Sequence, residues 1–160
     1  NEVDHNVKKE IINVRGEGSF LQNKDFTMIS DGSININNLS GEFKLFGPNS
    51  KLTTDDIIIT GEDIKGKYVN IDGENIVDKL NVQDKTQVNI KTKTSNMFAK
   101  SAIYNKKENI IELFENVSII RDNESVTGDY AKMNTLDESY FVKTNYKSKR
   151  VKAVLEKNDE

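Results

Sequence analysis

The sequence predicts an all-β protein made of stacked antiparallel hairpins. Apolar residues recur at every second position in stretches rich in Val, Ile, Thr, Tyr and Phe, as in strands that are buried on one face. Asp-Gly pairs at 31–32 and 72–73 separate these stretches, as hairpin turns require. Helical spacing is never sustained for three turns. We expect at most one short helix, around Val7 to Val14.

The composition favours one domain with a thin apolar layer. Of 160 residues, 35% are hydrophobic and 31% are charged, which suits strands with one apolar and one wetted face. We expect residues 1–24 to form a partly mobile N-terminal segment or short helix. Residues 25–157 are expected to form a single β-domain.

Hairpin-like units repeat along the chain at intervals of about 30 residues, a period typical of stacked repeats. Each unit has a small residue, a strand that ends in Asn or Asp, a turn and a second alternating strand. The strands close at Ile36-Asn37, Ile71-Asp72, Tyr104-Asn105 and Met133-Asn134. One hairpin cannot bury its apolar face alone, so the units are expected to stack and to leave strand edges at both ends.

The charge pattern argues against nucleic acid as a partner. The net charge is −3, and the basic residues are spread along the chain instead of forming a patch. The densest basic run, Lys147 to Lys152, is interpreted as a solvated strand end or as a contact for a sugar phosphate.

No catalytic, metal or cofactor site is predicted. The single histidine, His5, lies in a polar N-terminal stretch, and there is no cysteine. The carboxylate pairs Asp55-Asp56 and Glu62-Asp63 are neighbours along strands, so their side chains point to opposite faces and cannot share a proton or a metal ion.

The stretch from Ser101 to Leu155 resembles LptA/OstA-like proteins. The matching segments, in order, are Ala102-Ile103-Tyr104-Asn105, Ile110 to Val117, Val126 to Ala131, and Arg150 to Leu155. The sequence departs from the family at Glu115, where a glycine is usual. This puts the local kink in doubt, since glycine serves bulges and positive φ.

The resemblance implies an antiparallel β-jellyroll or β-taco, open at both ends, that carries lipopolysaccharide by its lipid A chains across the periplasm. It further implies head-to-tail homo-oligomers and partners that are LptC-like at the inner membrane and LptD-like at the outer membrane. The resemblance also implies a signal peptide, which we expect to have been cleaved. A start at Asn1 without a long apolar run is compatible with a cleaved leader or with a deleted anchor.

Inward apolar side chains would line the groove for the acyl chains. The expected lining residues are Ile34, Ile36, Phe43, Leu45, Ile57, Ile59, Val69, Ile71, Leu80, Val82, Tyr104, Ile111, Leu113, Val117, Ile119 and Met133. The same residues would also pack against one another when the groove is empty.

Terminal strands are expected to pair with neighbouring molecules through main-chain hydrogen bonds. The residues predicted for these pairing strands are Phe26, Met28, Tyr140, Val142, Val151 and Val154. Ordinary internal strands are the alternative. For the chain as a whole, the alternatives are an LptC-like scaffold of the same export machine and a purely structural β-solenoid or surface module.

Overall fold

The computed structural model describes residues 2–144 and 150–155, and all regular structure in them is β. The strands are β1 Glu2–Asn6, β2 Ile11–Arg15, β3 Ser19–Gln22, β4 Thr27–Ser30, β5 Ser33–Asn37, β6 Glu42–Phe46, β7 Lys51–Thr53, β8 Ile58–Thr60, β9 Asp63–Ile71, β10 Glu74–Lys91, β11 Asn96–Asn105, β12 Ile110–Arg121, β13 Glu124–Asn134, β14 Tyr140–Lys143 and β15 Lys152–Val154. Every pairing is antiparallel, which confirms the predicted fold class. The described residues contain no helix capable of crossing a membrane.

The N-terminal segment differs from the expectation. The short helix around Val7 to Val14 is wrong, because residues 7–10 form a turn and β2 begins at Ile11. Strand β2 pairs with β1 on one side and with β5 on the other, so hydrogen bonds to two neighbours override any local helical tendency. Residues 2–22 therefore belong to the same sheet as the rest, and the boundary expected at residue 24 is not seen.

The sheet folds over into two leaves whose inner faces form one apolar cluster. The first leaf contains β1, β2, β5, β6, β9, β14 and the adjoining parts of β10 to β13. The second leaf contains β3, β4, β7, β8, β15 and the remaining parts of β10 to β13. The four long strands thus run through both leaves and join them.

The long strands bend at irregular pairings that form a spine between the leaves. The register shifts between Gln83 and Val88 in β10, and between Phe114 and Val117 in β12. In β12 the bend is made by Glu115 and Asn116, with φ of 61° and 53°. The kink that the absence of glycine placed in doubt is therefore present, with Glu115 itself in the left-handed conformation.

The short strands cross the spine through tight loops. Gly47 has a φ of 123°, and a Cβ placed on it would lie 2.8 Å from the Cα of Gly32. Below these loops the buried Ser30 and Ser50 hydroxyls are hydrogen-bonded to each other at 2.9 Å, and Ser50 donates to the Gly47 carbonyl at 2.7 Å. The buried polar groups of this crossing are thus paired.

Opposite the spine, the turns of each leaf form a free margin, which we call a lip. The first lip consists of residues 6–10, 37–41, 72–73, 106–109 and 135–139. The second lip consists of residues 23–26, 54–57, 92–95 and 122–123. Any opening of the fold to the side must lie between these two lips.

Candidate functional site: an apolar groove between two leaves

The inner faces of the two leaves supply the predicted apolar lining. Of the residues expected in the groove, all but Val69 and Ile71 are buried: Ile34, Ile36, Phe43, Leu45, Ile57, Ile59, Leu80, Val82, Tyr104, Ile111, Leu113, Val117, Ile119 and Met133. They lie in one contiguous cluster. Their inward orientation agrees with the prediction, whereas contact with a lipid stays a prediction.

The two exceptions lie at the end of β9, where the inward-facing side chains are Ile64 and Tyr68. Strict alternation then places Val69 and Ile71 on the opposite face. Ile71 is 51% exposed, so its inward assignment is wrong, whereas Val69 is half-buried and lines the wide cavity described below. The Tyr68 hydroxyl instead reaches the first lip and donates to Asn38 Oδ1 at 3.0 Å.

Phe26 and Met28 also have a different place from the one predicted. Strand β4 is hydrogen-bonded to β3 on one side and to β7 on the other, so it offers no free edge. Both side chains are buried in the apolar cluster, with Met28 fully enclosed. Their assignment to an intermolecular pairing strand is therefore wrong, and they line the groove.

Several residues that line the groove are missing from the predicted lining. Some lie in strands too short to show a period, and others lie in predicted strands but were not assigned to the groove. They are Met28, Leu52, Ile64, Ile90 and Met97, all fully buried. Ile90 follows Val88 at the strand period, so alternation alone contained the signal for it. Strand β7 has three residues, which is too short for a visible period.

A wide cavity opens at the N-terminal end of the groove. Its volume is about 720 Å³, within the range of ordinary small-molecule sites. Apolar side chains from both leaves line it, namely Ile12, Leu21, Phe26, Ile36, Tyr68 and Val69. Amide side chains of Asn23, Asn38, Asn70 and Asn75 also line it. The cavity is thus mainly apolar, with amide groups and one charged residue, Lys67, in its lining.

Further along, the two leaves are in close contact. Leu45, Ile64, Leu80, Ile111 and Leu113 from the first leaf are at most 1% exposed. Ile59, Ile90 and Met97 from the second leaf are equally enclosed. The middle of the groove is therefore packed shut by its own lining.

Within the described residues, polar side chains at the lips connect the two leaves at three places. Asp25 Oδ2 accepts from the backbone N–H of Asn75 at 2.8 Å, and Lys106 Nζ lies 3.2 Å from Asp56 Oδ2. Nearer the C-terminus, Arg121 donates to the Glu138 carbonyl at 2.7 Å. These contacts hold the lips together without covering them with apolar surface.

The middle contact has a defined electrostatic environment. The hydrogen bond from Lys106, opposed by partial burial, is the main reason that the pKa of Asp56 is lowered. Burial, followed by the charges of Asp56 and Asp78, raises the pKa of Tyr104 to about 12. Asp56 is therefore a carboxylate and Tyr104 a neutral phenol at neutral pH.

The sheet ends in strands that have a partner on one side within the described residues. Among those residues, strands β1 and β3 pair only with β2 and β4, and both β14 and β15 pair only with β13. Of the predicted pairing residues, Tyr140 and Val142 in β14 are half-buried, while Val151 and Val154 at β15 are exposed. Residues 145–149 and 156–160, including part of the basic run and the expected end of the domain, lie outside the described residues.

Three of the four carboxylates considered for catalysis are engaged in ion pairs. Glu62 lies 2.7 Å from Lys85, Asp63 lies 2.9 Å from Lys65, and Asp56 contacts two lysines. His5 is exposed on β1. Among residues 2–144 and 150–155, no group of three or more potential ligands is arranged to hold a metal ion.

A family model for OstA-like proteins matches residues 82–159. The fold is similar to that of LptH from Pseudomonas aeruginosa, the LptA-homologous periplasmic component of a lipopolysaccharide transport device. The TM-score is 0.67 at 12% sequence identity, and the match covers 82% of this chain and 95% of LptH. Residues 82–159 are thus OstA-like, and the fold is LptA-like.

The LptA-like β-jellyroll inferred from the sequence is thereby confirmed. The matched range contains the whole stretch from Ser101 to Leu155 that carries the sequence resemblance. LptH is a component of a transport device, which agrees with the prediction of a non-enzymatic protein. A comparison with curated proteins finds no match.

Proposed function

We propose that this LptA/OstA-like chain is a periplasmic lipopolysaccharide-transport protein that holds the acyl chains of lipid A between its two leaves. The observation that carries the proposal is the continuous apolar interior that widens into a cavity of about 720 Å³ at one end. The similarity to LptH, a component of a lipopolysaccharide transport device, supports it.

The chemistry of the groove suits a cargo that must be held and then passed on. Each methylene removed from water contributes about 0.8 kcal/mol, so several acyl chains bind firmly through many weak contacts. Apolar contacts have no preferred direction, and no single one dominates. A ligand can therefore slide along the lining, and the direction of transport comes from an energy-consuming partner at the membrane.

Acyl chains enter at the wide cavity and then separate the packed leaves. Burial of acyl chains replaces contacts among side chains such as Leu80 and Ile111 with contacts to the lipid, so the apolar area removed from water is largely kept. The three polar contacts between the lips are exposed or partly exposed and individually weak. Opening between the lips would leave the sugar headgroup in water.

We also propose that copies of the chain stack end to end. The free sides of β1 and β14 carry unpaired backbone groups, which another strand can satisfy. Pairing of β1 with β14 of another copy joins unlike surfaces, so it extends into a filament. LptC-like and LptD-like proteins would occupy the two ends.

Photocrosslinking from neighbouring positions tests lipid binding. Leu21 lines the wide cavity, whereas its neighbour Phe20 is 54% exposed on the other face of β3. With benzoylphenylalanine in each position, we expect lipopolysaccharide to be captured from position 21 and not from position 20. Equal capture, or none from position 21 although the variant is folded, would reject a groove for acyl chains.

The alternative of a purely structural β-solenoid is favoured by one observation, the tight packing in the middle of the groove. A structural core stays closed and dry at every lipid concentration. Capture of lipopolysaccharide at position 21 is incompatible with that alternative.

A further inference from the structure

A second cavity lies between the lips, away from the wide end of the groove. Its volume is about 270 Å³, and its lining includes Asp56, Lys93, Tyr104, Lys106 and Glu138. Lys93 and Asp56 belong to the second lip, whereas Lys106 and Glu138 belong to the first. The cavity therefore lies where a ligand held between the leaves would emerge into water.

Two ammonium groups from opposite lips share one carboxylate in this cavity. Lys93 Nζ lies 3.4 Å from Asp56 Oδ1, and Lys106 Nζ lies 3.2 Å from Asp56 Oδ2. The other acidic group, Glu138, is already engaged by Arg121 and by the Thr94 hydroxyl. Among the side chains that line the cavity, the two lysines thus carry one positive charge more than Asp56 neutralises; Asp78, whose charge also acts on Tyr104, lies outside the lining.

The floor of the cavity is continuous with the apolar groove. Ile57 and Tyr104 line the cavity and belong to the buried apolar cluster, each 5% exposed. A molecule with acyl chains in the groove and an anionic group near their origin would thus place that group beside the two lysines. A free anion would contact the two lysines but would make no apolar contact in the groove.

We propose that Lys93 and Lys106 form a site for a phosphate of the lipid headgroup, with Asp56 as the counter-ion that the phosphate displaces. This inference rests on the proposed function, because it assigns the charged end of the same ligand. A phosphate monoester carries about 1.5 to 2 negative charges near neutral pH and three strong acceptor oxygens. It therefore matches two ammonium groups better than one carboxylate does.

Binding of a phosphate at this site would also change the distance between the two lips. With Asp56 as the partner, Lys106 joins the two lips directly. A phosphate between Lys93 and Lys106 would replace that direct contact by a bridge through the ligand, and the lips could stand further apart. Lys106 is the more enclosed of the two, with 39% of its side chain exposed against 76% for Lys93.

The test compares lipid A that carries its phosphates with lipid A from which they have been removed. For the double variant Lys93→Gln/Lys106→Gln, we expect about tenfold weaker binding of the phosphorylated lipid at low ionic strength. Binding of the dephosphorylated lipid should be no weaker than to the natural chain, because loss of the Lys106 contact only eases opening of the lips. Lys107→Gln is the matched control, since Lys107 is exposed on the same turn and does not line the cavity. Asp56→Asn should tighten binding of the phosphorylated lipid about threefold, because it removes the competing carboxylate.

The possible results distinguish failure of the phosphate site from failure of the acyl-chain groove. If both lipids bind the double variant as they bind the natural chain, the phosphate site is rejected while the groove stands. If neither lipid binds the natural chain, the proposed function fails first. Inorganic phosphate is the remaining probe. We expect it to compete only weakly with the phosphorylated lipid for the two lysines. Competition as strong as that of the lipid itself would identify a site for free anions and overturn the assignment to a headgroup.

Discussion

Glu115 places a charged, unbranched side chain where the bend of β12 requires a left-handed backbone. Its φ is 61°, and Asn116 beside it has a φ of 53°. The left-handed conformation costs a non-glycine residue about 1–2 kcal/mol, and asparagine tolerates it better than glutamate. The bend forms because the pairings of β12 with β11 and β13 continue on both sides of it.

Replacing Glu115 by glycine should therefore stabilise the fold. We expect Glu115→Gly to raise the free energy of unfolding by about 0.5–1 kcal/mol, the relief of strain less the backbone entropy of glycine. Urea denaturation measures this. Lys132→Gly is the control at an exposed strand position of negative φ, and it should lower the stability; equal effects of the two changes would show that Glu115 is not strained.

Strand β9 packs closely because it has no side chain at Gly66. A Cβ there would lie 2.3 Å from Phe43 Cζ and 2.8 Å from the Lys79 carbonyl oxygen. We expect Gly66→Ala to destabilise the protein by about 1–3 kcal/mol, because the ring must move and β10 must shift.

A double substitution separates these two causes. Phe43→Leu removes the ring end that a Cβ at residue 66 would strike, so Phe43→Leu/Gly66→Ala should be more stable than the sum of the single effects predicts. Strict additivity in urea denaturation would place the whole cost at the contact with the Lys79 backbone.

The proposed end-to-end stacking depends on pairing between the edge strands β1 and β14. Val3 on β1 is 69% exposed and Phe141 on β14 is 60% exposed, so charges at these positions leave the monomer core intact. Lysine on an edge strand opposes addition of another strand. We expect Val3→Lys/Phe141→Lys to remain monomeric at concentrations where the natural chain forms larger species.

Size-exclusion chromatography with light scattering, over a dilution series, measures this difference. Leu39→Lys is the control, because Leu39 is equally exposed but lies on a turn of the first lip. A natural chain that is monomeric throughout, or a double variant that assembles as the natural chain does, would contradict pairing through β1 and β14.

The period of two predicted where most strands end, and it failed where the pairing of two strands is irregular. The expected strand ends at Asn37, Asn105 and Asn134 are confirmed, since each side chain accepts a hydrogen bond within its turn. In the remaining unit the strand ends at Ile71 as expected, but Asn70, two residues before the expected Asp72, has this role and accepts from Gly73. An irregular pairing between Val77 and Lys79 lies opposite, and such a bulge leaves no mark on the hydrophobic pattern.

The wide cavity and the contacts between the lips could not be predicted from the sequence. Asp25 and Asn75 are 50 residues apart, as are Asp56 and Lys106. These residues meet because the leaves fold over at the spine. The hydrophobic period within one strand carries no information about which turns then face each other. The apolar lining was predictable, since alternation needs only neighbours along one strand.

The two leaves together form an apolar interior, packed shut in its middle, that lipid must enter in the proposed function. Its three methionines are natural probes of that interior, because Met28, Met97 and Met133 are the only ones in the sequence. All are at most 1% exposed, and they come from different parts of both leaves. Met28 pairs with Leu21 beside the wide cavity.

NMR of ¹³C-methyl-labelled methionine during titration with lipopolysaccharide is the most direct test. We expect the Met28 signal to shift or broaden first, followed by those of Met97 and Met133 as acyl chains separate the leaves. A nitroxide confined to water should leave all three unchanged. Bound lipopolysaccharide that leaves every methionine methyl signal in place would show that the lipid stays outside and would contradict the groove.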